Sequence, residues 1–238
     1  ESPSSLREGD GPGLSRNLNP TAFDATATEP QFALAPAGAA ASEEITMNSE
    51  ELELRKYLEA VIEVRGKMGQ SYELAYSCAE DFVLKHGVWY PEPEFFPMIY
   101  GGQGAPKQCF GNALMLSAIY GLRYVEGYAL APVGEKGGRF PTLHGWNLDD
   151  SGRVVDSTWV NSGVAYVGIT FSVERADDAI WNGDACVLDD YRRGYPVMRK
   201  PWTGETPIEQ WSKSPRLELL RRKDQAGILR YLREELAE

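Results

Sequence analysis

Cys109 is the residue of this sequence best suited to act as a nucleophile. It follows a glycine-containing turn and begins a segment of helical periodicity that Gly121 ends, so we expect it at a helix N-terminus. The unpaired N–H groups and the helix dipole at that end favour the thiolate over the thiol. A thiolate attacks carbonyl carbon atoms, which is the first step of acyl transfer. Without suitable neighbours, the same cysteine is better interpreted as a small buried side chain.

His144 is the second candidate, and the only other histidine in the sequence is His86. It lies on a predicted strand that leads into a turn at residues 149–152, and Asp156 follows two valines on the next predicted strand. Because the turn lies midway between His144 and Asp156, antiparallel pairing brings them almost opposite each other. An ionised carboxylate avoids such a half-buried position unless it has a partner. The spacing therefore predicts a hydrogen bond that orients the imidazole while Cys109 attacks, with a purely structural histidine as the alternative.

Further side chains are candidates for an oxyanion hole and for a substrate cleft. Gln103 lies six residues before Cys109 and is followed by a glycine, which is also compatible with a simple turn. Gln108 and the backbone N–H of Cys109 are the other candidate donors to an oxyanion. The candidates for the cleft are Trp146, Tyr128 and Asn112, although aromatic residues on strands more often belong to a core.

Charge and composition argue against several classes of function. The net charge is −11 at pH 7, whereas nucleic acids and anionic membranes bind to basic patches. No apolar run approaches the ~20 residues that cross a bilayer. The sequence has no Cys/His spacing typical of zinc sites, no Walker loop and no dinucleotide fingerprint. We therefore expect no metal, no cofactor, no nucleic acid and no membrane among its ligands.

The elements that position these residues follow an α+β order of helices, then antiparallel strands, then helices. A capping box formed by Asn48 and Glu51 indicates the start of the first helix, and an aromatic-rich loop is predicted after residue 87. The other predicted helices cover residues 71–86, 109–120, 172–181 and 215–238, with one more starting at residue 206. The predicted strands form a meander and cover residues 124–130, 143–148, 153–159 and 164–171.

The chain divides into a tail at residues 1–47 and a domain at residues 48–238. The tail is rich in Ser, Pro, Gly and Ala, which is typical of a flexible segment or linker. The first residue is Glu1 rather than Met, which indicates a processed product or an excised piece, so cytoplasmic and exported locations both stay open. Besides Cys109, the sequence contains Cys78 and Cys186. Two buried thiols are favoured for this pair, and a single bridge is the alternative.

Four blocks of residues in the region 101–160 resemble the core of the transglutaminase-like superfamily. They are residues 108–113 (QCFGNA), 124–129 (YVEGYA), 144–146 (HGW) and 154–159 (VVDSTW). Members of that family have a cysteine at a helix start, a strand ending in Gly-Tyr-Ala, a histidine before a tryptophan, and an aspartate followed by a threonine on the next strand. Two features depart from the pattern: the usual Pro-Ala-Arg element is missing, and a glycine follows His144 where alanine is usual.

The resemblance implies an α+β fold of the transglutaminase-like, papain-like kind, with the nucleophile at a helix N-terminus packed on an antiparallel sheet. It implies a triad of Cys109 as nucleophile, His144 as base and Asp156 as orienting carboxylate. Gln103 is similar in position to the oxyanion glutamine of papain-like proteases. No counterpart of the calcium sites of some members is evident.

The expected function is thiol-dependent hydrolysis or acyl transfer at a peptide or side-chain amide, through a thioester at Cys109. A protease, a glutamine deamidase and a transglutaminase are all compatible with these residues, and the expected partner is a protein or peptide substrate. Hydrolysis is favoured because water is the default acceptor. The alternative is a catalytically inactive module that uses the same fold for binding.

Overall fold

The computed structural model describes residues 47–69, 73–91, 104–131, 139–159, 161–204 and 214–223. The helices are α1 (Ser49–Met68), α2 (Ala79–His86), α3 (Cys109–Tyr120), α4 (Val173–Asn182) and α5 (Pro215–Arg221), with a short 3-10 turn at Pro196–Met198. The strands are β1 (Val88–Tyr90), β2 (Arg123–Leu130), β3 (Pro141–Leu148), β4 (Val154–Val155) and β5 (Ala165–Phe171). The α+β class predicted from the sequence is confirmed.

The first helix begins as predicted. Asn48 accepts a hydrogen bond from the backbone N–H of Glu51, and the Glu51 carboxylate accepts one from the backbone N–H of Asn48. This reciprocal pair satisfies two of the N–H groups that a helix start leaves unpaired. Leu54 and Leu58 from this helix are fully buried in the main core.

The second helix is shorter than predicted, because it starts at Ala79 rather than at residue 71. The N–H groups just before it have other acceptors. Ser77 donates to the carboxylate of Asp81, and Ala75 donates to the carbonyl of Met198. The backbone at Cys78 is extended, so the chain enters the helix only at the next residue.

The third helix has the predicted bounds, from Cys109 to Tyr120. Gly121 ends it in the left-handed conformation (φ 73°), and its N–H group donates to the carbonyl of Ser117. Glycine adopts this conformation without a steric penalty, which explains why the helix stops there.

The sheet has the order β1-β5-β2-β3-β4 and is antiparallel at each pairing. Strands β2, β3 and β4 are consecutive neighbours, as a meander requires. The predicted meander is wrong for the next strand, because β5 returns to the other side of β2 instead of pairing with β4. All residues of β5 except Thr170 are buried, which suits an interior strand. Strand β1, which pairs with β5, lies in a segment predicted as a loop.

The two faces of the sheet carry different clusters. Tyr124, Tyr128 and Leu130 of β2 face the main core, together with side chains from α1, α2 and α3. Val125 and Ala129 face the opposite side, together with Trp146, Leu148 and Tyr166. Since side chains alternate along a strand, His144 lies on the same face of β3 as Trp146.

The remaining helices agree in part with the prediction. The fourth spans Val173–Asn182 and is capped by Ser172, close to the predicted residues 172–181. The last described helix spans Pro215–Arg221, the first part of the predicted residues 215–238. Nearly all of the predicted tail, the predicted start at residue 206 and the segment after residue 223 lie outside the described residues.

Candidate active site

Cys109 is the first residue of α3 and is partly buried. The helix start approaches β3 closely, because Gly145 has no side chain. A Cβ atom at position 145 would lie 2.8 Å from Cδ1 of Phe110 and 3.1 Å from its Cα. Lys107, two residues before Cys109, has a left-handed backbone (φ 63°), a conformation that costs a non-glycine residue about 1 kcal/mol or more. Cys109 therefore follows directly after a turn with an unfavourable backbone conformation, and its helix packs closely on β3.

Asn112, one turn into α3, ties this helix to the segments around it. Its side-chain amide donates to the carbonyl of Ala105 (2.8 Å) and to the hydroxyl of Thr158 (3.0 Å). Its side-chain oxygen accepts the N–H of Ala105 (3.1 Å). The neighbouring N–H of Gly104 donates to the carbonyl of Ser157 (2.7 Å). The chain before Cys109, the helix and the loop after β4 are therefore joined by one set of hydrogen bonds.

His144 lies on β3, as predicted, and is only 1% exposed. Its Nε2 donates to Oδ2 of Asp156 over 2.8 Å, so the predicted hydrogen bond between these residues is present. Burial alone would lower the pKa of the ring, but hydrogen bonds with Asp156 and with Cys109 outweigh burial and raise the pKa to about 9. Asp156 and Cys109 therefore both act on this imidazole, and the three residues form one row.

Asp156 follows β4 directly and is 2% exposed. The predicted strand over residues 153–159 is too long, because β4 ends at Val155. The reason is the carboxylate itself, whose Oδ1 accepts the backbone N–H groups of Thr158 (2.9 Å) and Trp159 (3.4 Å) and bends the chain into a turn. Burial raises the pKa of Asp156, but the hydrogen bond and the charge of His144 lower it more, so the pKa lies below its usual value.

Two indole rings lie near the imidazole. The Trp159 ring stacks on His144 with 4.0 Å between ring centroids and 11° between planes. The Trp146 ring is also nearly parallel to the imidazole, at 6.3 Å and 20°. Stacked indoles keep water away from the histidine, and the face of an aromatic ring attracts a positively charged partner. The stack therefore shields the imidazole from water without providing a competing hydrogen-bond partner. Because this shielding lowers the pKa of the ring, Asp156 and Cys109 are the residues that raise it.

Tyr166 of β5 also belongs to this cluster, and the sequence did not single it out. Its hydroxyl donates to Oδ2 of Asp156 over 3.0 Å and accepts the N–H of Gly163 over 2.7 Å. The proximity of Tyr166 to Asp156 was not predictable from a meander, because β5 lies beside β2 rather than beside β4. The one indication of its role in the sequence was Gly163, which precedes Tyr166 by three residues near the start of the strand.

The candidate oxyanion donors are only partly described. Gln103 lies outside the described residues. Gln108 precedes α3 as its N-cap residue, is exposed, and makes no capping hydrogen bond with its side chain. The backbone N–H groups of the first turn of α3 point out of the helix N-terminus beside Cys109. They are donors of the type that stabilises an oxyanion.

The three residues predicted for the substrate cleft are buried. Trp146 is 1% exposed and lies beneath the imidazole. Asn112 is 8% exposed and uses its amide in the hydrogen bonds described above. Tyr128 is 6% exposed and lines a cavity of about 260 Å³ together with Leu143. Because Leu143 precedes His144 on β3, this cavity lies on the opposite face of the sheet from the imidazole.

Among the residues that the structure describes, no three His, Cys, Asp or Glu side chains are grouped so that they could hold a metal ion. In the same residues, no helix combines the length and the apolar character that crossing a membrane requires. The three cysteines are free; of the pair predicted as two buried thiols, Cys186 is buried and Cys78 is only partly buried.

Comparison of the chain with models of protein families, with curated proteins and with solved structures returns no match. The resemblance to the transglutaminase-like superfamily therefore depends on the four blocks of residues alone.

Proposed function

We propose that this chain is a cysteine enzyme that hydrolyses or transfers a peptide or side-chain amide through a thioester at Cys109. The observation that carries the proposal is the row in which Asp156 holds Nε2 of His144 at 2.8 Å while Cys109, at the start of α3, acts on the same imidazole. Nucleophile, base and orienting group in this order are the constellation of nucleophilic acyl transfer. We also propose that the fold is of the transglutaminase-like, papain-like kind, because the cysteine begins a helix packed on an antiparallel sheet.

The first step of the proposed reaction forms the thioester. Since Nε2 of His144 is occupied by Asp156, the other ring nitrogen, Nδ1, exchanges a proton with Sγ of Cys109. A pKa of about 9 for His144 means that the ring is protonated at neutral pH, so it holds the proton that the leaving amine later requires. The thiolate attacks the amide carbonyl carbon, and the negative charge moves to the carbonyl oxygen, near the N–H groups at the start of α3.

The second half of the reaction releases the acyl group. The tetrahedral intermediate collapses, the C–N bond breaks, and the amine leaves with the proton from Nδ1 of His144. The neutral imidazole then removes a proton from water, which attacks the thioester, and the carboxylic acid and the thiol are regenerated. If a primary amine replaces water, the product is a new amide.

Selective alkylation tests the nucleophile before any substrate is known. At neutral pH, iodoacetamide should modify Cys109 well before Cys78 or Cys186, as measured by peptide mass spectrometry. Burial raises the pKa of both of the other thiols, and Cys186 is almost inaccessible. The His144→Ala variant should remove the preference. Equal modification of Cys109 and Cys78 in the unaltered chain would rule out an activated thiolate.

Mass spectrometry of a peptide library, with and without an added primary amine, tests the reaction itself. Cleavage indicates a protease, a mass increase of about 1 Da at glutamine indicates a deamidase, and an amine adduct indicates a transglutaminase. Cys109→Ser should abolish every product. Cys78→Ser, which also replaces a partly buried cysteine, is the matched control and should retain activity.

One observation favours the alternative of an inactive binding module. His144 and Asp156 are 1% and 2% exposed, so a substrate can reach the row only through the partly exposed Cys109. The module predicts no product from any peptide and no preferential alkylation of Cys109. A reactive Cys109 that His144→Ala silences argues against it.

A further inference from the structure

We propose that Tyr166 is a positioning residue for the candidate active site: its hydroxyl shares Oδ2 of Asp156 with His144 and thereby limits how strongly the carboxylate holds the imidazole. This inference depends on the proposed function for its effect on turnover. Its effect on the imidazole itself does not depend on any activity.

The first support is the way in which the hydrogen bonds of Asp156 are divided. Oδ1 accepts two backbone N–H groups, whereas Oδ2 accepts the two side-chain donors, His144 at 2.8 Å and Tyr166 at 3.0 Å. Each donor to Oδ2 withdraws negative charge from the same atom. The tyrosine therefore competes directly with the histidine for that charge.

The second support is the way in which the hydroxyl is directed. The N–H of Gly163 donates to the Tyr166 oxygen over 2.7 Å, which leaves the hydroxyl proton for Asp156. A Cβ atom at position 163 would lie 2.8 Å from this oxygen and 2.8 Å from the Trp159 ring, so a glycine is needed for the approach. The tyrosine side chain itself is fully buried.

The third support is the sheet register, which gives Tyr166 its reach. Tyr166 pairs with Ala129 of β2, which in turn pairs with Thr142 of β3, so the three side chains share one face. His144 lies two residues further along β3 on that face. The small side chain of Ala129 leaves room for the phenol to cross β2 and meet the carboxylate over β3.

The ionisable groups around the imidazole come from three elements. Among the described residues, Cys109 approaches from α3, Asp156 from the loop after β4, and Tyr166 from β5 through the carboxylate. Glu126 also lies on β2. Because side chains alternate along a strand, it points to the opposite face of the sheet, where the Tyr124 hydroxyl donates to its carboxylate over 2.7 Å.

The experiment is an NMR titration of Tyr166→Phe, in which only two imidazole signals need assignment because the chain has two histidines. Removal of the hydroxyl leaves more charge on Oδ2 for His144, so the midpoint of the His144 titration should move to higher pH. A tyrosine that merely packed against the carboxylate would loosen Asp156 when altered and move the midpoint to lower pH. An unchanged or lower midpoint would therefore overturn the proposal.

Tyr124→Phe is the matched control. It also removes a hydroxyl that donates to a buried carboxylate in the same sheet, but on the face away from His144. It should leave the His144 midpoint unchanged, and an equal shift in both variants would overturn the proposal.

Turnover gives a readout that separates this proposal from the proposed function. A more strongly held imidazolium is a weaker acid towards the leaving amine, so Tyr166→Phe should lower kcat by about three- to tenfold with little change in KM. If the midpoint shifts but no peptide is ever turned over, the sharing of Oδ2 stands and the enzymatic function fails. If the chain is active but the midpoint does not move, the function stands and the role of Tyr166 fails.

Discussion

Phe110 lies against Gly145 so closely that a single methyl group at position 145 would overlap with both its ring and its backbone, at 2.8 Å and 3.1 Å. The glycine is next to His144, and the phenylalanine is next to Cys109. The contact thus sets the distance between the two elements that supply the thiol and the imidazole. In the sequence, this glycine is a departure from the alanine usual in the transglutaminase-like pattern.

Gly145→Ala should therefore separate the nucleophile from its base. Alanine normally favours a strand over glycine by about 0.5–1 kcal/mol, but here the overlap with Phe110 should cost about 1–3 kcal/mol. A displacement of about 1 Å is enough to lower turnover by about a hundredfold. Alkylation rates of Cys109 and chemical denaturation measure the two effects. Gly111→Ala is the control and should not slow alkylation, because the added methyl group would lie 4.0 Å from its nearest contact, Oε1 of Gln108.

Asp156→Asn should lower both the pKa of His144 and the activity. The charge and the hydrogen bond of Asp156 help to raise that pKa to about 9, so an amide in its place should move the titration towards neutral pH. Turnover should fall by about a hundredfold or more. NMR titration and steady-state kinetics measure these changes. Asp150→Asn, at an exposed position of the neighbouring turn, should change neither quantity.

The same residues predict how stability depends on alkaline pH. The pKa of His144 is raised from 6.5 to about 9, so its stabilising contribution is complete below pH 6.5 and is lost as the pH rises through 9. Urea denaturation of the unaltered chain and of His144→Gln at several pH values should therefore give two free energies of unfolding that converge above pH 9. A constant difference from pH 6 to 10 would contradict the raised pKa.

Asn112→Ala should loosen the chain before Cys109. The variant leaves the backbone groups of Ala105 without their partner, which should lower the free energy of unfolding by about 2–3 kcal/mol. Because Thr158 also loses its contact, alkylation of Cys109 should slow as well. Denaturation and alkylation rates measure both effects. Asn182→Ala, which removes an exposed hydrogen bond to Asp178, should change alkylation little.

Asp149→Asn should weaken the turn that precedes Asp156. The Asp149 carboxylate accepts hydrogen bonds from the backbone and side chains of Ser151 and Arg153. These outweigh the effect of burial and lower its pKa to about 2, so its stabilisation is complete above about pH 3.8 and is lost as the pH falls towards 2. The variant should lose about 1 kcal/mol at neutral pH and match the unaltered chain near pH 2 in acid denaturation.

Local features of the sequence were enough to predict much of the site. The helix from Cys109 to Tyr120 was predictable from its apolar periodicity and from the glycine that ends it. The hydrogen bond between His144 and Asp156 was predictable from the position of the turn. The register differs by one residue, since Asn147 pairs with Val155, and the carboxylate reaches the imidazole from the turn after β4 rather than from the facing position.

Long-range features were the ones that sequence reasoning missed. The β1 strand has only three residues, and its partner β5 is far away in the chain. The return of β5 to β2, and with it the approach of Tyr166 to Asp156, depends on pairing between strands that are not adjacent in the sequence. Local periodicity contains no information about that choice. The early end of β4 was missed for a different, local reason: the Asp156 carboxylate accepts the N–H groups of Thr158 and Trp159, which a longer strand would have paired with its neighbour.

Apart from the contact with Cys109 itself, the hydrogen bonds described for the imidazole and the carboxylate come from the sheet and its loops, whereas the sulfur atom is supplied by the helix. The chemical group at position 109 is therefore separable from the machinery that would activate it. An alanine or serine at that position should leave the remaining constellation assembled. Such a variant should bind a substrate without converting it, so that the bound substrate could be isolated and identified.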